Sequence, residues 1–293
     1  MRVFITGASG WIGSAVTSEL LANGHTVLGL ARSDASAERV AALGADVHRG
    51  DLDDLDSLAA GAAAADGVIH LGYHHDFSQM AEAAQLDRAA IDTFGAALEH
   101  SGKPLLMASG TLGLAVGRPA TEEDDADAAA HPRIANAHAA LALADRGVRP
   151  VVLRFPPTVH GPGDHGFVAA LVGFARENGV SGYVGDGSNR WPAVHRLDAA
   201  KVVRLALEGA PAGTIVHAVA EEGVPAKAIA EAIGRGLGLP TESVAPETLG
   251  WLGSFFAADV PASSAITRER FGWEPTHPTL LEDLDAGAYT RGS

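Results

Sequence analysis

A glycine-rich turn near the N terminus, in the run VFITGASGWIGSAVTSELLANGH, constrains this chain more than any other feature. A β-branched run precedes the turn and an amphipathic run follows it, which predicts the order strand, turn, helix. Gly7 permits a tight turn, Gly10 a close approach of the backbone to a ligand, and Gly13 close packing of the helix on the sheet. The helix N terminus would present N–H groups to a diphosphate, so this context predicts a dinucleotide site.

Short β-branched runs alternate with alanine-rich helical runs along the chain. The strand runs include RVFITG, HTVLGL, DGVIHLG, KPLLMASG and VRPVVLRF, and helical runs such as GSAVTSELLANG lie between them. Strands separated by helices of this length form right-handed βαβ crossovers. The predicted fold class is therefore α/β, a Rossmann doubly wound parallel sheet, with the ligand beyond the carboxyl ends of the strands.

The character of the sequence changes near residue 156. The runs FPPTVHGPGDHGF and SGYVGDGSNRWPAVH are rich in Gly, Pro and aromatic residues, which is typical of loops that shape a pocket. HRLDAAKVVRLALEG then returns to the earlier pattern. We therefore predict a nucleotide-binding domain from residues 1–155 and 195–220, and a smaller, discontinuous C-terminal substrate domain from residues 156–194 and 221–293.

The amino-acid composition excludes several kinds of chemistry and partner. The absence of cysteine excludes disulfides, thiolate catalysis and sulfur-ligated metals. The net charge is −15, from 21 basic and 36 acidic residues with no basic cluster, so a nucleic-acid partner is not expected. No apolar run has membrane-spanning length, and MRVFITGASG is a strand and turn rather than a signal peptide. We expect a cytoplasmic protein with a small-molecule substrate and no membrane partner, and leave a homodimer open.

Several motifs occur in an order typical of one family. TGASGWIGSAV, RGDLDDLDSL, LRFPPTVHGPGD, GDGSNRWPAVHRLDAA and TRERFGWEPTH together span nearly the whole chain. In these motifs the chain resembles the extended short-chain dehydrogenase/reductase family, the relatives of nucleotide-sugar epimerases and dehydratases. The resemblance implies a nicotinamide dinucleotide, with Asp51 beside the adenine and the FPPT turn beside the nicotinamide.

The end of the second predicted strand, LGLARSD, indicates which dinucleotide is bound. A carboxylate usually holds the ribose hydroxyls of NAD there, but Ala31 and Arg32 stand in its place. A guanidinium can bind a 2′-phosphate through two hydrogen bonds, and a carboxylate would repel it. The sequence therefore favours NADP(H). The alternative is that Arg32 is a surface charge and that Asp34 binds the ribose.

The predicted cofactor-binding residues combine the glycine turn with the positions that the resemblance implies. They are Thr6, Gly7, Ser9, Gly10, Trp11, Ile12, Gly13, Arg32, Asp51, Leu52, Leu71, Gly72, Ser109, Phe155, Pro156 and Thr158.

The proton-transfer pair usual in this family is missing. The resemblance implies a Tyr on the helix after the fifth strand, and a Lys four residues later. PRIANAHAA instead places Arg133 at the Tyr position and Ala137 at the Lys position, with Asn136 at the intervening Ser. A carbonyl gains negative charge as hydride arrives, so another donor must meet it. Arg133 could stabilise that charge but stays protonated near neutral pH.

Three explanations of this absence stay open. The reaction could use another donor, or it could reduce an iminium, which is already cationic, or the protein could bind NADP(H) as a non-catalytic sensor. The candidate catalytic residues are Tyr73, Ser109, Thr111, Arg133 and Tyr183. Other candidate donors are His74, His75, His138, Thr158 and His160.

The remaining motifs concern the substrate. HHDF, residues 74–77, is not expected to bind metal, because adjacent histidines point to different sides. Aromatic residues with few cations favour a compact, fairly apolar substrate, or else form interdomain core. The aromatic residues are Phe167, Tyr183, Trp191, Trp251, Phe255 and Phe256, and the cation Arg190 precedes Trp191.

We predict from these features an NADP(H)-dependent reductase that transfers hydride to a small, fairly apolar carbonyl or imine. The alternatives are the NADP(H) sensor and a nucleotide-sugar epimerase or dehydratase relative. The last is disfavoured because its chemistry relies on the absent Tyr.

Overall fold

The computed structural model describes residues 1–74, 80–115, 117–129 and 131–290. The strands are β1 (Arg2–Thr6), β2 (Thr26–Ala31), β3 (Asp46–Arg49), β4 (Gly67–His70), β5 (Pro104–Gly110), β6 (Arg149–Phe155), β7 (Thr158–His160), β8 (Ser181–Val184), β9 (Arg190–His195), β10 (Thr214–His217), β11 (Glu221–Pro225) and β12 (Thr241–Val244). The helices are α1 (Trp11–Ala22), α2 (Asp34–Ala42), α3 (Leu55–Ala63), α4 (Met80–Ala97), α5 (Pro132–Ala142), α6 (Phe167–Asn178), α7 (Arg196–Gly209), α8 (Ala226–Leu237), α9 (Gly253–Phe256), α10 (Ala265–Phe271) and α11 (Leu280–Asp285).

The chain divides into two compact units. The first unit comprises Met1–Ser109, Asp125–Arg154 and Ala200–Val216, and the second comprises Gly110–Asp124, Phe155–Ala199 and His217–Ser293.

A seven-stranded parallel sheet dominates the first unit, which confirms the predicted α/β class. Its strand order is β10-β6-β5-β4-β1-β2-β3. The chain order reverses between β1 and β4, and open sheets of this kind bind ligands at that reversal, outside the carboxyl ends of the strands. Thr6 and His70 are register partners at those two ends.

The central strands are apolar along their length because helices cover both faces of a parallel sheet. Val3, Phe4 and Ile5 of β1 are fully buried. The ring of Phe4 packs edge-on against Phe94 of α4, with centroids 6.2 Å apart. Gly61 lets α3 approach the same ring, since a Cβ there would lie 2.4 Å from a Phe4 ring carbon. Small residues in the helices therefore set how closely they pack on the sheet.

The second unit contains a three-stranded sheet in the order β11-β9-β7 and a two-stranded pair, β12-β8. Its core includes Trp191 of β9, which packs edge-on against Phe256 with centroids 5.2 Å apart. The helices α6 and α8 supply further buried residues to this core, including Leu171 and Ile229.

Residues 110–124 lie in the second unit, whereas the predicted boundary kept them in the nucleotide-binding domain. Their partners explain this placement. Ala120 forms a β-bridge with Ala262, and the Glu122 carboxylate accepts a 2.7 Å hydrogen bond from the Thr267 N–H. Residues 195–199 and 217–220 likewise belong to the second unit.

Within the described ranges, no helix has both the length and the apolar composition needed to cross a membrane.

Two glycines with similar backbones test the contact between the glycine turn and β4. Gly7 has φ +70°, and a Cβ there would lie 2.8 Å from the Gly72 nitrogen; Gly24 has φ +81° and nothing within 4 Å. We expect Gly24→Ala to lower the free energy of unfolding by about 1–2 kcal/mol, the cost of a left-handed backbone. Gly7→Ala should cost about 1–3 kcal/mol more, because the methyl group overlaps backbone atoms. Urea unfolding measures both. Equal losses would mean that the turn and β4 can separate freely.

Candidate active site

The glycine turn has the features of an anion cradle. The Gly10 N–H donates to the Gly7 oxygen at 2.9 Å, which closes the turn. A Cβ on Gly13 would lie only 2.0 Å from that same oxygen, so α1 can begin here only with glycine at that position. Gly10 caps α1 without a side chain, and the first turn of α1 carries no acidic residue. The N–H groups at this helix end therefore face no competing carboxylate, and the turn fits a diphosphate.

The end of β4 lies against this turn. The Leu71 N–H donates to the Thr6 oxygen at 3.2 Å, and the Gly72 N–H donates to Thr6 Oγ1 at 3.0 Å. Leu52 approaches from beyond β3, 3.1 Å from where a Gly72 Cβ would stand. The structure thus brings together Thr6, Gly7, Leu52, Leu71 and Gly72, all of which the sequence assigned to the cofactor.

A buried chain of polar side chains continues from Thr6 into the helices. Thr6 Oγ1 and His70 Nδ1 are 2.7 Å apart, and His70 Nε2 lies 3.1 Å from Asp87 Oδ1. Asn136 Nδ2 donates to Asp87 Oδ2 at 2.6 Å and to the Ala84 oxygen at 2.9 Å. Strand β4 is thereby joined to α4 and α5.

Burial raises the pKa of the Asp87 carboxyl, but other effects outweigh it. The hydrogen bonds from His70 and Asn136 and the positive charge of Arg133 together hold that pKa below its usual value. Asp87 is therefore an ionised carboxylate inside the first unit at neutral pH.

Sequence reasoning did not find His70 and Asp87. A weak signal exists, because His70 ends an otherwise apolar strand and Asp87 lies on the buried side of an alanine-rich helix. Polar residues at such positions need partners.

Arg133, which the sequence resemblance aligns with the Tyr of the family, contacts a tyrosine. Helix α5 begins at Pro132, capped by His131, whose Nδ1 accepts from the Arg133 N–H at 3.2 Å. The Arg133 guanidinium carbon lies 4.2 Å from the ring centroid of Tyr73, and Nη2 donates to the Ala108 oxygen at 3.0 Å. Arg133 therefore links α5 to β5 and to the segment after β4.

The ionisation of Tyr73 follows from these neighbours. Burial raises its pKa above the usual value, the Arg133 charge partly offsets this, and the Asp87 charge adds to the rise. Tyr73 is consequently a protonated phenol at neutral pH.

Other predicted donors lie at the carboxyl ends of β5 and β6. Ser109 is buried near the end of β5 in the first unit. In the second unit the Thr111 N–H donates to the Phe155 oxygen at 3.0 Å. The hydroxyls of Thr111 and Thr158 are buried and have no hydrogen-bond partner among the described residues. Neither hydroxyl oxygen has exposed surface through which to reach a ligand.

Two alternative histidine donors are engaged elsewhere. His138 Nε2 lies 2.6 Å from Asp125 Oδ1 at the surface of the first unit. His160 is fully buried in the second unit, with Nδ1 2.6 Å from Asp283 Oδ2.

The remaining candidates are placed as follows. Tyr183 lies in β8, with the Lys227 ammonium 5.7 Å from its ring centroid. His74 is half-buried, and His75 lies outside the described residues. No group of three or more potential ligands that could hold a metal ion occurs in the described ranges.

The end of β2 presents an exposed cation. Arg32 is exposed, and Ser33 caps α2, its Oγ accepting from the Ser36 N–H at 3.2 Å. Asp34, the alternative ribose ligand, forms an ion pair with Arg49 at the end of β3. No carboxylate within the described part of the chain pairs with Arg32.

The other predicted cofactor residues lie around the same turn or at the strand ends. Asp51 Oδ1 accepts from the Leu52 N–H at 2.7 Å. Ser9, Trp11 and Ile12 are half-buried in the turn and the first turn of α1, whereas Pro156 is buried after β6.

Arg190 in the second unit is neutralised by a carboxylate. Its Nε and Nη2 donate to the two oxygens of Asp259 at 3.1 and 2.9 Å, and its backbone N–H donates to Asp259 Oδ1 at 2.7 Å. This two-pronged pair uses the fork of the guanidinium, which is therefore not open to a second anion.

Asp198 binds the segment that follows α10. It is fully buried, and its oxygens accept from the N–H groups of Thr276 and His277, each at 3.0 Å. His277 Nδ1 lies 2.9 Å away, and the His277 ring stacks on His195 with centroids 4.8 Å apart. Burial raises the pKa of Asp198, but the hydrogen bonds from His277 and Thr276 lower it by more. The pKa of Asp198 is therefore below its usual value.

Comparison of the sequence with known protein families identifies the family of this chain. Residues 3–219 match the NAD dependent epimerase/dehydratase family, and the chain belongs to it. Its members are nicotinamide-dinucleotide enzymes of the short-chain dehydrogenase/reductase kind.

Three similar proteins illustrate its relations. An uncharacterised protein of Schizosaccharomyces pombe is 47% identical, over 99% of this chain and 100% of its own. A 2-alkyl-3-oxoalkanoate reductase of Stenotrophomonas maltophilia is 31% identical, over 73% of this chain and 67% of its own. The structure of UDP-glucose 4-epimerase from Thermotoga maritima, with UDP-glucose, has a TM-score of 0.78 at 18% identity, covering 99% of both chains.

Asp198→Asn tests the anchoring role of Asp198. Because its pKa is lowered in the folded protein, the carboxylate stabilises the fold above its unfolded pKa, and this contribution is lost as pH falls through the folded pKa. We expect the variant to lose about 2–3 kcal/mol at pH 7. Its stability should also fall less steeply than that of the natural protein when the pH is lowered. Urea unfolding at pH 3 to 8 measures this, with the exposed Asp53→Asn as control. An Asp198→Asn variant with the natural protein's pH profile would refute the role.

Proposed function

We propose that this protein is an NADP(H)-dependent reductase that transfers hydride to a small, fairly apolar carbonyl compound, with Tyr73 as proton donor. The observation that carries the proposal is the contact of Arg133 with Tyr73, beside the backbone of Ala108. At the helix position where the family pattern has its Tyr, this chain holds a cation against a tyrosine from another segment.

Each residue of the site would have a separate role in the reaction. The bound nicotinamide would supply the hydride, and the carbonyl oxygen would gain negative charge. Tyr73, protonated at neutral pH, can donate a proton to that oxygen, because an alkoxide is a stronger base than a phenolate. The positive charge of Arg133 stabilises negative charge nearby. Ser109 would add a hydroxyl donor at the end of β5.

Two observations support a compact, fairly apolar substrate over a nucleotide sugar. Arg190 is already paired with Asp259, so it is not free to bind a diphosphate. A 31% identical relative is by its name a reductase of 2-alkyl-3-oxoalkanoates, which pairs a ketone with an alkyl chain. An imine remains the second substrate class to test, since an iminium needs no proton donor.

The choice of NADP(H) rests on charge at the end of β2. Arg32 is exposed and has no carboxylate partner within the described ranges, whereas Asp34 is paired with Arg49. A 2′-phosphate would complete the hydrogen bonding of the Arg32 guanidinium.

The direct test is oxidation of NADPH, followed by its absorbance, with a panel of ketones, 3-oxo esters and cyclic imines. The proposal predicts turnover with ketones. Binding of NADPH without turnover of any class would instead favour the sensor.

Tyr73→Phe tests the proton donor. Removing the hydroxyl should lower kcat for a ketone about 10²–10⁴-fold, with little change in the KM for NADPH, because proton donation belongs to the transition state. Steady-state kinetics with Tyr183→Phe alongside discriminates the two tyrosines. If Tyr183→Phe has the larger effect, the donor belongs to the second unit.

Arg32→Asp tests the cofactor preference. We expect the KM for NADPH to rise about 10- to 100-fold, from the lost charge-assisted hydrogen bonds, and the KM for NADH to change much less. Arg39→Asp makes the same charge change on the exposed side of α2 and serves as control. Equal effects of Arg32→Asp on both nucleotides would contradict the assignment.

A further inference from the structure

The buried chain Thr6, His70, Asp87 and Asn136 has the order of a carboxylate–imidazole–hydroxyl relay, but its location excludes nucleophilic catalysis. Thr6 is fully buried, and its oxygen already accepts the Gly72 N–H at 3.0 Å. A substrate cannot reach that hydroxyl. Burying an ionised Asp87 costs free energy, so the carboxylate must have a role other than catalysis.

The hydrogen-bond capacities of the chain fix its proton positions. The Asp87 carboxylate only accepts, so His70 Nε2, 3.1 Å from it, must carry a proton. In neutral His70, Nδ1 is then an acceptor and receives the Thr6 hydroxyl proton at 2.7 Å. The Thr6 oxygen in turn keeps a lone pair for the Gly72 N–H. This assignment gives an acceptor to each of the His70 Nε2–H, the Thr6 hydroxyl and the Gly72 N–H.

The last group of this relay is the Gly72 N–H, and Gly72 packs closely against the backbone of Gly7. Gly72 is the residue whose nitrogen would lie 2.8 Å from a Cβ on Gly7, in the turn that fits a diphosphate. A hydrogen bond that holds Gly72 therefore also sets the width of the crevice between the glycine turn and β4.

We propose that Asp87 is a positioning residue for the dinucleotide, which holds His70 in the Nε2–H tautomer so that Thr6 fixes Gly72 against the glycine turn. Asn136 couples this relay to α5, the helix that carries Arg133. The inference rests on the dinucleotide site of the family and not on the reductase activity.

Asp87→Asn is the primary test. An amide cannot accept from both His70 and Asn136, so either His70 changes tautomer or the Asn136 bond is lost. We expect the dissociation constant for NADPH, measured by calorimetry without substrate, to rise about tenfold. Asp92→Asn on the exposed face of α4 removes a carboxylate that pairs with Arg88, and should leave binding unchanged.

Nitrogen-15 NMR of the histidine rings gives a reading that general destabilisation would not change. The natural protein should show His70 as the Nε2–H form, assigned by comparison with His70→Gln. A His70 in the Nδ1–H form in the natural protein would overturn the proposal.

A double-mutant cycle with Thr6→Val tests whether Asp87 acts on Gly72 through His70 and Thr6. Thr6→Val removes the hydroxyl, keeps the Asp87–His70 pair, and should raise the NADPH dissociation constant by a similar factor. In the Thr6→Val background, Asp87→Asn should then have little further effect. Additive effects would refute the relay.

Three further outcomes complete the test. If Asp87→Asn fails to fold, Thr6→Val decides alone, and unchanged NADPH affinity of that folded variant overturns the proposal. Lack of turnover with every substrate would defeat the reductase but leave these binding measurements valid. If neither NADPH nor NADH binds the natural protein, the positioning role falls with the dinucleotide site.

Discussion

The structure of the first unit depends on one backbone contact, between the glycine turn and the end of β4. No side chain fits at Gly7, since its Cβ would meet the nitrogen of Gly72 and the carbonyl carbon of Leu71 within 3 Å. The contact lies at the reversal of strand order, where a parallel sheet opens a crevice at its carboxyl edge. Around this contact gather the helix end that fits a diphosphate, the Thr6 hydroxyl and the segment that leads to Tyr73.

Helix α5 has a different role here from the one that the family pattern implies. Its surface toward the sheet holds other groups in place. Arg133 lies over Tyr73 and binds the Ala108 oxygen, while Asn136 binds Asp87. Arg133 and Asn136 stand at the positions that the sequence resemblance aligns with the reacting phenol and a serine hydroxyl. In the proposed reductase, the proton donor is Tyr73 in the segment after β4, and Arg133 of α5 positions it.

Local sequence carried the information for the fold. The glycine spacing, the β-branched runs and the alanine-rich helices between them predicted the parallel sheet, because each depends on residues adjacent in sequence. Leu52, Leu71 and Gly72 lie beside the glycine turn but far from it in sequence, and they were expected only from the resemblance to the family. Other contacts between distant residues were not predictable. Asp259, which neutralises Arg190, is 69 residues away from it, and the Asp87 carboxylate is 49 residues from Asn136.

The unit boundary shows the same limit. Residues 110–124 follow β5 directly, so their sequence position suggested the nucleotide-binding domain. The hydrogen bond from Thr267 to Glu122 and the bridge from Ala120 to Ala262 place them with the second unit. Those partners lie about half the chain away, and periodicity carries no information about them.

The most direct measurement is a crystal structure with NADPH and a ketone inhibitor bound. The account predicts the diphosphate on the first turn of α1 and the Tyr73 hydroxyl within about 3 Å of the inhibitor oxygen. A diphosphate bound elsewhere, or an inhibitor oxygen met only by groups of the second unit, would contradict it.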